Sequence, residues 1–331
     1  MSSVDFSADV EQYANEILQV CSYHRRDFDL VVIRSRPHEM QPVQASLQSA
    51  FEKLPTANLG ILGRLPLELM SLTLRELDIR SFFHFRQEYN LVSRHGLEGL
   101  RGLLRAELAP YFTISDLYQS PITEKCSTCG SFGGHLFLFT VERCCFDCLL
   151  SSAHFRVLAP LTFAKLANIS PSRLDRLPGQ KLRTVSGIYS MLERPARRPK
   201  YLIFEDKATQ MLLAIRAIRE DAVLKLGGRR EQEDQRFMAA TAYPYYNLED
   251  AKLEPSVSYK GCQIHHQRLY DVFLTRDPVF STQGFLSHFS QCVEAQQHWA
   301  ASERGSRPVD EPQITRYCGY FNKLGSDGLP A

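Results

Sequence analysis

Residues 126–148 read CSTCGSFGGHLFLFTVERCCFDC. Two Cys-x-x-Cys pairs, Cys126 with Cys129 and Cys145 with Cys148, are separated by fifteen residues, a spacing at which two knuckles meet around one tetrahedral ion. Zinc suits four thiolates, and four thiolates leave no coordination position open for water or substrate, so the expected ion is structural. Gly130, Gly133 and Gly134 allow tight turns, and HLFLFTV (residues 135–141) can run as a hairpin strand into the second knuckle. Cys144 also precedes Cys148, but the two-residue gap favours Cys145 as the ligand and leaves Cys144 a bystander. A redox dithiol would more typically show a single pair beside a strand-helix pattern.

The cysteine count agrees with metal better than with disulfides: nine is odd, and five of the nine cluster within residues 126–148 of a large chain, four of them as two Cys-x-x-Cys pairs. The 331 residues suffice for two domains or one large one, and 44% hydrophobic content suffices for a buried core. Lys plus Arg is 39 against 37 for Asp plus Glu, a formal charge of +2, unlike the strongly basic profile of a dedicated nucleic-acid binder. The N-terminus has no basic stretch followed by an unbroken apolar run, and LFLFTV is far too short to cross a bilayer. No membrane attachment is expected, and the chain reads as soluble, cytoplasmic or nuclear.

Outward from the cysteines the chain reads as predominantly α with a minor β component, the hairpin of the knuckles and a few brief extended pieces. Residues 1–58 form an N-terminal segment of weak signal, read as partly flexible, in which Val10, Ala14, Ile17 and Leu18 mark a short helix and Leu30 to Ile33 a strand. A helical module spans 61–108 and ends with leucines at 97, 100, 103, 104 and 108 on one face. A zinc-stapled, mainly helical domain covers 110–301, with helices over 156–168 and 207–226 separated by the loop RPARRPK. The tail, 302–331, lacks the apolar content to hold itself down.

Within the helical module, residues 62–86 read LGRLPLELMSLTLRELDIRSFFHFR. The fixed backbone angle of Pro66 suits a first helical position; Leu65, Leu69 and Leu72 follow on one face, and Met70, Leu74 and Leu77 form a second stripe. One stripe can be buried inside its own module, so the other asks for a partner or a second domain. Asp78 offers an acceptor to the free amides of a following helix in which Phe82, Phe85 and Tyr89 recur at helical spacing. The order Leu-Pro-x-Glu-Leu, then Leu, then Leu-Asp, Ser and two large apolar residues resembles the F-box family. Leu65, Pro66, Glu68 and Leu69 match its opening, and Asp78, Ser81 and Phe82 its second turn.

The resemblance implies that Leu65, Pro66, Glu68, Leu69, Leu72, Leu77, Asp78 and Phe82 dock on a Skp-type adaptor and thereby on a cullin scaffold. It also implies that the C-terminal part holds an unknown protein for ubiquitination and that catalysis resides in partners. It covers a short part of the chain and departs after Arg86, where a Val-Ser-Arg element expected almost at once comes only at Val92 to Arg94.

A weaker constellation lies near the C-terminus, where Cys262-Gln-Ile-His265-His266 is followed by Phe285-Leu-Ser-His288-Phe-Ser-Gln-Cys292. His288 and Cys292, four apart on a helix, project from one face, and with Cys262 and either His265 or His266 could complete a Cys2His2 site. Fungal F-box-like proteins, which the chain resembles, often carry Cys-x-Gly-Cys in the first position, which here reads Tyr259-Lys-Gly-Cys262. HFSQC has no Glu to act as base and no second His, so a metalloprotease does not fit, and the sequence has no G-x-S-x-G elbow, phosphate-binding loop or dinucleotide fingerprint. The expectation is a non-catalytic receptor. Its rival is a zinc-dependent transcriptional or nucleic-acid-binding regulator using Arg194, Arg197, Arg198 and Lys200, although four charges are few for phosphate-driven affinity.

Overall fold

The computed structural model describes residues 7–34, 66–79, 97–189, 194–218, 223, 226, 234–269, 278–311 and 313–319. Helix α1 (Ser7–Cys21) turns into strand β1 (Ser22–Tyr23). Helices α2 (Leu67–Arg75), α3 (Leu97–Arg105) and α4 (Ile114–Ile122) precede the cysteine segment, which supplies β2 (His135–Phe137), β3 (Glu142–Cys144) and α5 (Phe146–Ser151). There follow β4 (Val157–Leu158), α6 (Pro160–Ala167), β5 (Lys181–Arg183), β6 (Gly187–Tyr189), β7 (Arg194–Ala196), β8 (Tyr201–Phe204), α7 (Glu205–Ala214) and β9 (Ala240–Ala242). The last elements are β10 (Tyr245–Asn247), β11 (Lys252–Glu254), β12 (Ser258–Tyr259) and helices α8 (Lys260–Leu269), α9 (Thr282–Phe289) and α10 (Val293–Ala301), with single helical turns between several of them.

The expectation of a predominantly helical chain is corrected here. Among the described residues helix accounts for 47% and strand for 18%, the strands lie in five small sheets, and the architecture is mixed α and β. The physical reason is strand length. Each strand has two to four residues, too few to register a period-two pattern, and the central ones are covered on both faces and so do not alternate.

The main core is built on the antiparallel sheet β3-β2-β9. Leu136, Phe137, Leu138 and Phe139 are all buried in succession, which only a strand covered on both sides allows. Helix α3 supplies one cover. A Cβ on Gly99 would stand 2.8 Å from Leu136 Cδ2 and one on Gly102 3.0 Å from Leu138 Cδ2, so these two glycines, one turn apart, seat the helix directly on the sheet while Leu97, Leu100 and Leu103 fill the space around them. Elsewhere in this core Phe28 stacks on Phe146 at 3.9 Å between centroids, and Phe137 meets Phe155 and Phe204 at 5.0 and 5.3 Å, joining β2 to the second sheet, β4-β8-β5.

A smaller core packs Phe163, Leu174, Ile203 and Leu212 between α6, α7 and β8. A third gathers α1 with α8, α9 and α10 through Ile17, Cys21, Phe285, Phe289 and Trp299. Ser22 pairs with Tyr259 across β1 and β12, and the Arg26 N–H donates to the Cys318 carbonyl at 2.9 Å, so residues near the two ends of the sequence pack together. Among the described residues no helix is long and apolar enough to cross a membrane.

Candidate metal centres and an exposed helix

The first knuckle is a turn in which the Gly130 N–H donates to the Cys126 carbonyl at 3.0 Å, with Gly130 at φ +75°, a conformation that favours glycine. The second begins where β3 ends. Cys145 is the N-cap of α5, and its sulfur accepts from the Cys148 N–H at 3.3 Å. Strand alternation separates the neighbouring cysteines: Cys144 enters the core, fully buried, and Cys145 turns to the knuckle. The sulfurs of Cys126, Cys129, Cys145 and Cys148 all lie within 4.8 Å of one another, with Cys129 and Cys145 at 3.6 Å. The edge of a tetrahedron with Zn–S bonds of about 2.3 Å is about 3.8 Å, so the four sulfurs already stand at close to metal-site spacing. This group could hold a metal ion.

The electrostatics favour a thiolate there. Cys126 is held down to about 4, first because the Cys145 thiol donates to it and then because the N–H groups of Cys129, Cys145 and Thr128 support its charge against the cost of burial. The same bond to Cys126, together with burial, pushes Cys145 up, and burial chiefly raises Cys148 to about 12. One sulfur anion stabilised by backbone amides beside protonated neighbours is what a cation displacing those protons would meet. Cys144, raised well above 9 by burial, is unsuited to ligation.

Arg143, between Glu142 and the cysteine pair, escaped sequence reading. It is 2% exposed and spends its guanidinium on backbone carbonyls: Nε on Ser120 at 2.7 Å, Nη1 on Gly133 and on Tyr243 at 2.9 Å, Nη2 on Pro244. It thereby ties the knuckle loop to the C-terminal end of α4, whose last carbonyls have no helical partners, and to the segment after β9. Burial lowers its pKa to about 10, so it remains charged at neutral pH.

The second cluster draws on three helices. Cys262 stands in the first turn of α8, His288 in the last turn of α9, and Cys292 is the N-cap of α10. Their donor atoms lie within 4.8 Å of one another, with Cys262 Sγ 3.3 Å from His288 Nε2. Cys292 is held down to about 5, mainly by the Cys262 thiol, with help from His288 and the Ala295 N–H, while that same bond and burial push Cys262 up. This group too could hold a metal. The side chain of His265 lies outside the described residues.

Of the residues matched to the F-box opening, Pro66 immediately precedes α2, and Glu68, Leu69 and Leu72 are exposed along it. Leu69 is 49% and Leu72 54% exposed, one turn apart on the same side of the helix. The far end of the helix is pinned to the body of the protein: Asp78 bridges Thr113, the Ile79 N–H donates to Phe112 at 2.9 Å, the Ile114 N–H donates to Leu77 at 3.2 Å, and Arg75 lies over the Tyr118 ring. A capping box between Thr113 and Asp116 fixes the start of α4 at this junction. Leu65 and Phe82 lie outside the described residues. Of the basic patch, Arg194 opens strand β7, and Arg197 and Arg198 are exposed just after it.

No family model matches the chain, and neither a curated protein nor a solved structure is similar to it.

Proposed function

We propose that this chain is the substrate-receptor subunit of a Skp-cullin-F-box ubiquitin ligase, docking on the Skp-type adaptor through α2 and holding a protein target with the rest of its body. The observation that carries this reading is the outward row of Leu69 and Leu72 on a helix whose other end is anchored by backbone hydrogen bonds to α4. An apolar row of that kind offers a surface that a partner could cover, and the Leu-Pro-x-Glu-Leu pattern of residues 65–69 points to the adaptor as that partner. The four-cysteine centre takes zinc, because its donor set is all sulfur, contains no carboxylate and closes the coordination sphere. In this role Cys126, Cys129, Cys145 and Cys148 staple the hairpin that supports the main core, and the chain itself performs no chemistry.

The test is co-elution of the full chain with a purified Skp-type adaptor on size exclusion, with zinc measured in the same fractions. The expected result is a one-to-one complex. A folded, zinc-loaded chain that elutes apart from the adaptor refutes the reading, and salt-sensitive retention on DNA by that chain replaces it with the regulator.

A further inference from the structure

We propose that Cys262, His288 and Cys292 form a second zinc site, independent of the four-cysteine centre, that clamps α8, α9 and α10 together and through them holds the N-terminal helix α1. Three soft or borderline donors converge from three separate helices, and the Cys262 Sγ to His288 Nε2 distance of 3.3 Å is close to the roughly 3.6 Å edge that Zn–S and Zn–N bonds of normal length make in a tetrahedron.

The surrounding side chains place these donors and do little else for them. The His288 ring is fixed between aromatics, stacked on Phe280 at 5.1 Å and edge-on to Tyr259 at 4.6 Å, and Tyr259 stacks in turn on Phe285 at 3.7 Å. Gly261 sets the depth of α8: a Cβ there would stand 2.5 Å from the Ala295 amide nitrogen, so only glycine lets α8 approach α10 closely enough for Cys262 to reach Cys292. The donor set has two sulfurs and a nitrogen with no carboxylate, which selects a zinc-class ion over magnesium or calcium.

The N-terminal helix depends on the same unit. Trp299 of α10 donates from Nε1 to Asp9 at 3.0 Å, and the Cys21 thiol to the Ala295 carbonyl at 3.6 Å. Trp299 is fully buried and is the chain's single tryptophan, so its fluorescence reports this unit and not the four-cysteine centre.

The experiment is zinc content per chain, with Trp299 emission, on the full chain purified under reducing, anaerobic conditions. Two zinc ions per wild-type chain are expected, falling to one in Cys292→Ser and in His288→Ala, with emission shifted to the red. His288→Cys, which keeps a soft donor in place, should restore the second ion and the wild-type emission. If the single-site losses prevent folding, stepwise chelation of the wild-type chain decides: the inference requires that Trp299 emission move with the release of one of the two ions. One zinc in the wild type, an unchanged content in both variants, or a Cys262–Cys292 disulfide in place of metal overturns it. Because Leu69 and Leu72 are not involved, failure here leaves adaptor docking standing, and failure of docking leaves this site standing.

Discussion

The two cysteine clusters reach similar donor spacing by opposite routes. Cys126, Cys129, Cys145 and Cys148 come from one stretch of 23 residues, held by a turn, a two-stranded ladder and a helix N-cap, all local. Cys262, His288 and Cys292 come from three helices joined by a shared apolar core in which a glycine lets two of them touch, and their neighbours include a helix from the opposite end of the sequence. The local cluster lies against the main core, where Cys126, Cys144, Cys145 and Phe146 are counted among the buried residues; the dispersed one lies in the small third core. The first should therefore behave as a fold-determining staple and the second as a clamp on a peripheral unit.

That contrast can be broken most severely at Cys145. Cys145→Ser removes a ligand and alters the cap of α5, and should destabilise the main core by more than about 4 kcal/mol, seen as loss of a cooperative urea transition. If the variant unfolds with near wild-type midpoint, the local cluster is not a staple. Arg143→Met tests the same region without touching a ligand. It strands several buried carbonyls and should cost about 3 kcal/mol by the same assay.

Gly261→Val presses on the second cluster alone. It forces α8 away from α10, at about 1–3 kcal/mol, and should shift Trp299 emission while leaving zinc at the four-cysteine centre. Equal damage to both centres would mean that the two units are not separable.

Acid sensitivity sharpens the comparison least but applies to both regions. His135 in β2 and His298 in α10 are held below 6.5, in each case chiefly by burial. A depressed histidine contributes stability above the unfolded value, and this is lost as pH falls below about 6.5 toward the lower folded value, because the unfolded chain takes up the proton first. Each should give a slope of up to about 1.4 kcal/mol per pH unit in that window, and His135→Phe and His298→Phe should each remove one such slope in urea titrations across pH.

The sequence disclosed the local cluster because its ligands obey a fixed spacing, and the same two-residue gap assigned Cys145 over Cys144, which the structure buries in the core. It disclosed the dispersed cluster only in part. The four-residue gap between His288 and Cys292 is visible, but it reads as one helix face, whereas α9 ends at Phe289 and Cys292 is the extended N-cap of α10, and the approach of Cys262 depends on a helix crossing that no spacing encodes. The strands were hidden for a different reason. β9 is Ala-Thr-Ala, carries no period, and pairs with β2 about a hundred residues earlier in the chain. The leucine stripe of residues 97–108 was visible, yet the face that meets the sheet is made by Gly99 and Gly102, which read as helix-weakening residues. Arg143 looked like an ordinary charge beside Glu142, and nothing in the sequence marks it as buried.

The proposed receptor function rests on neither cluster but on α2, and calorimetry of the full chain against the Skp-type adaptor tests it most directly. Leu69→Asp places a charge where 49% of the leucine is exposed, so it should leave zinc content and the urea midpoint unchanged while weakening adaptor binding by about 2–3 kcal/mol, roughly 30- to 150-fold. Wild-type affinity in Leu69→Asp, or no binding by the wild-type chain, contradicts the assignment.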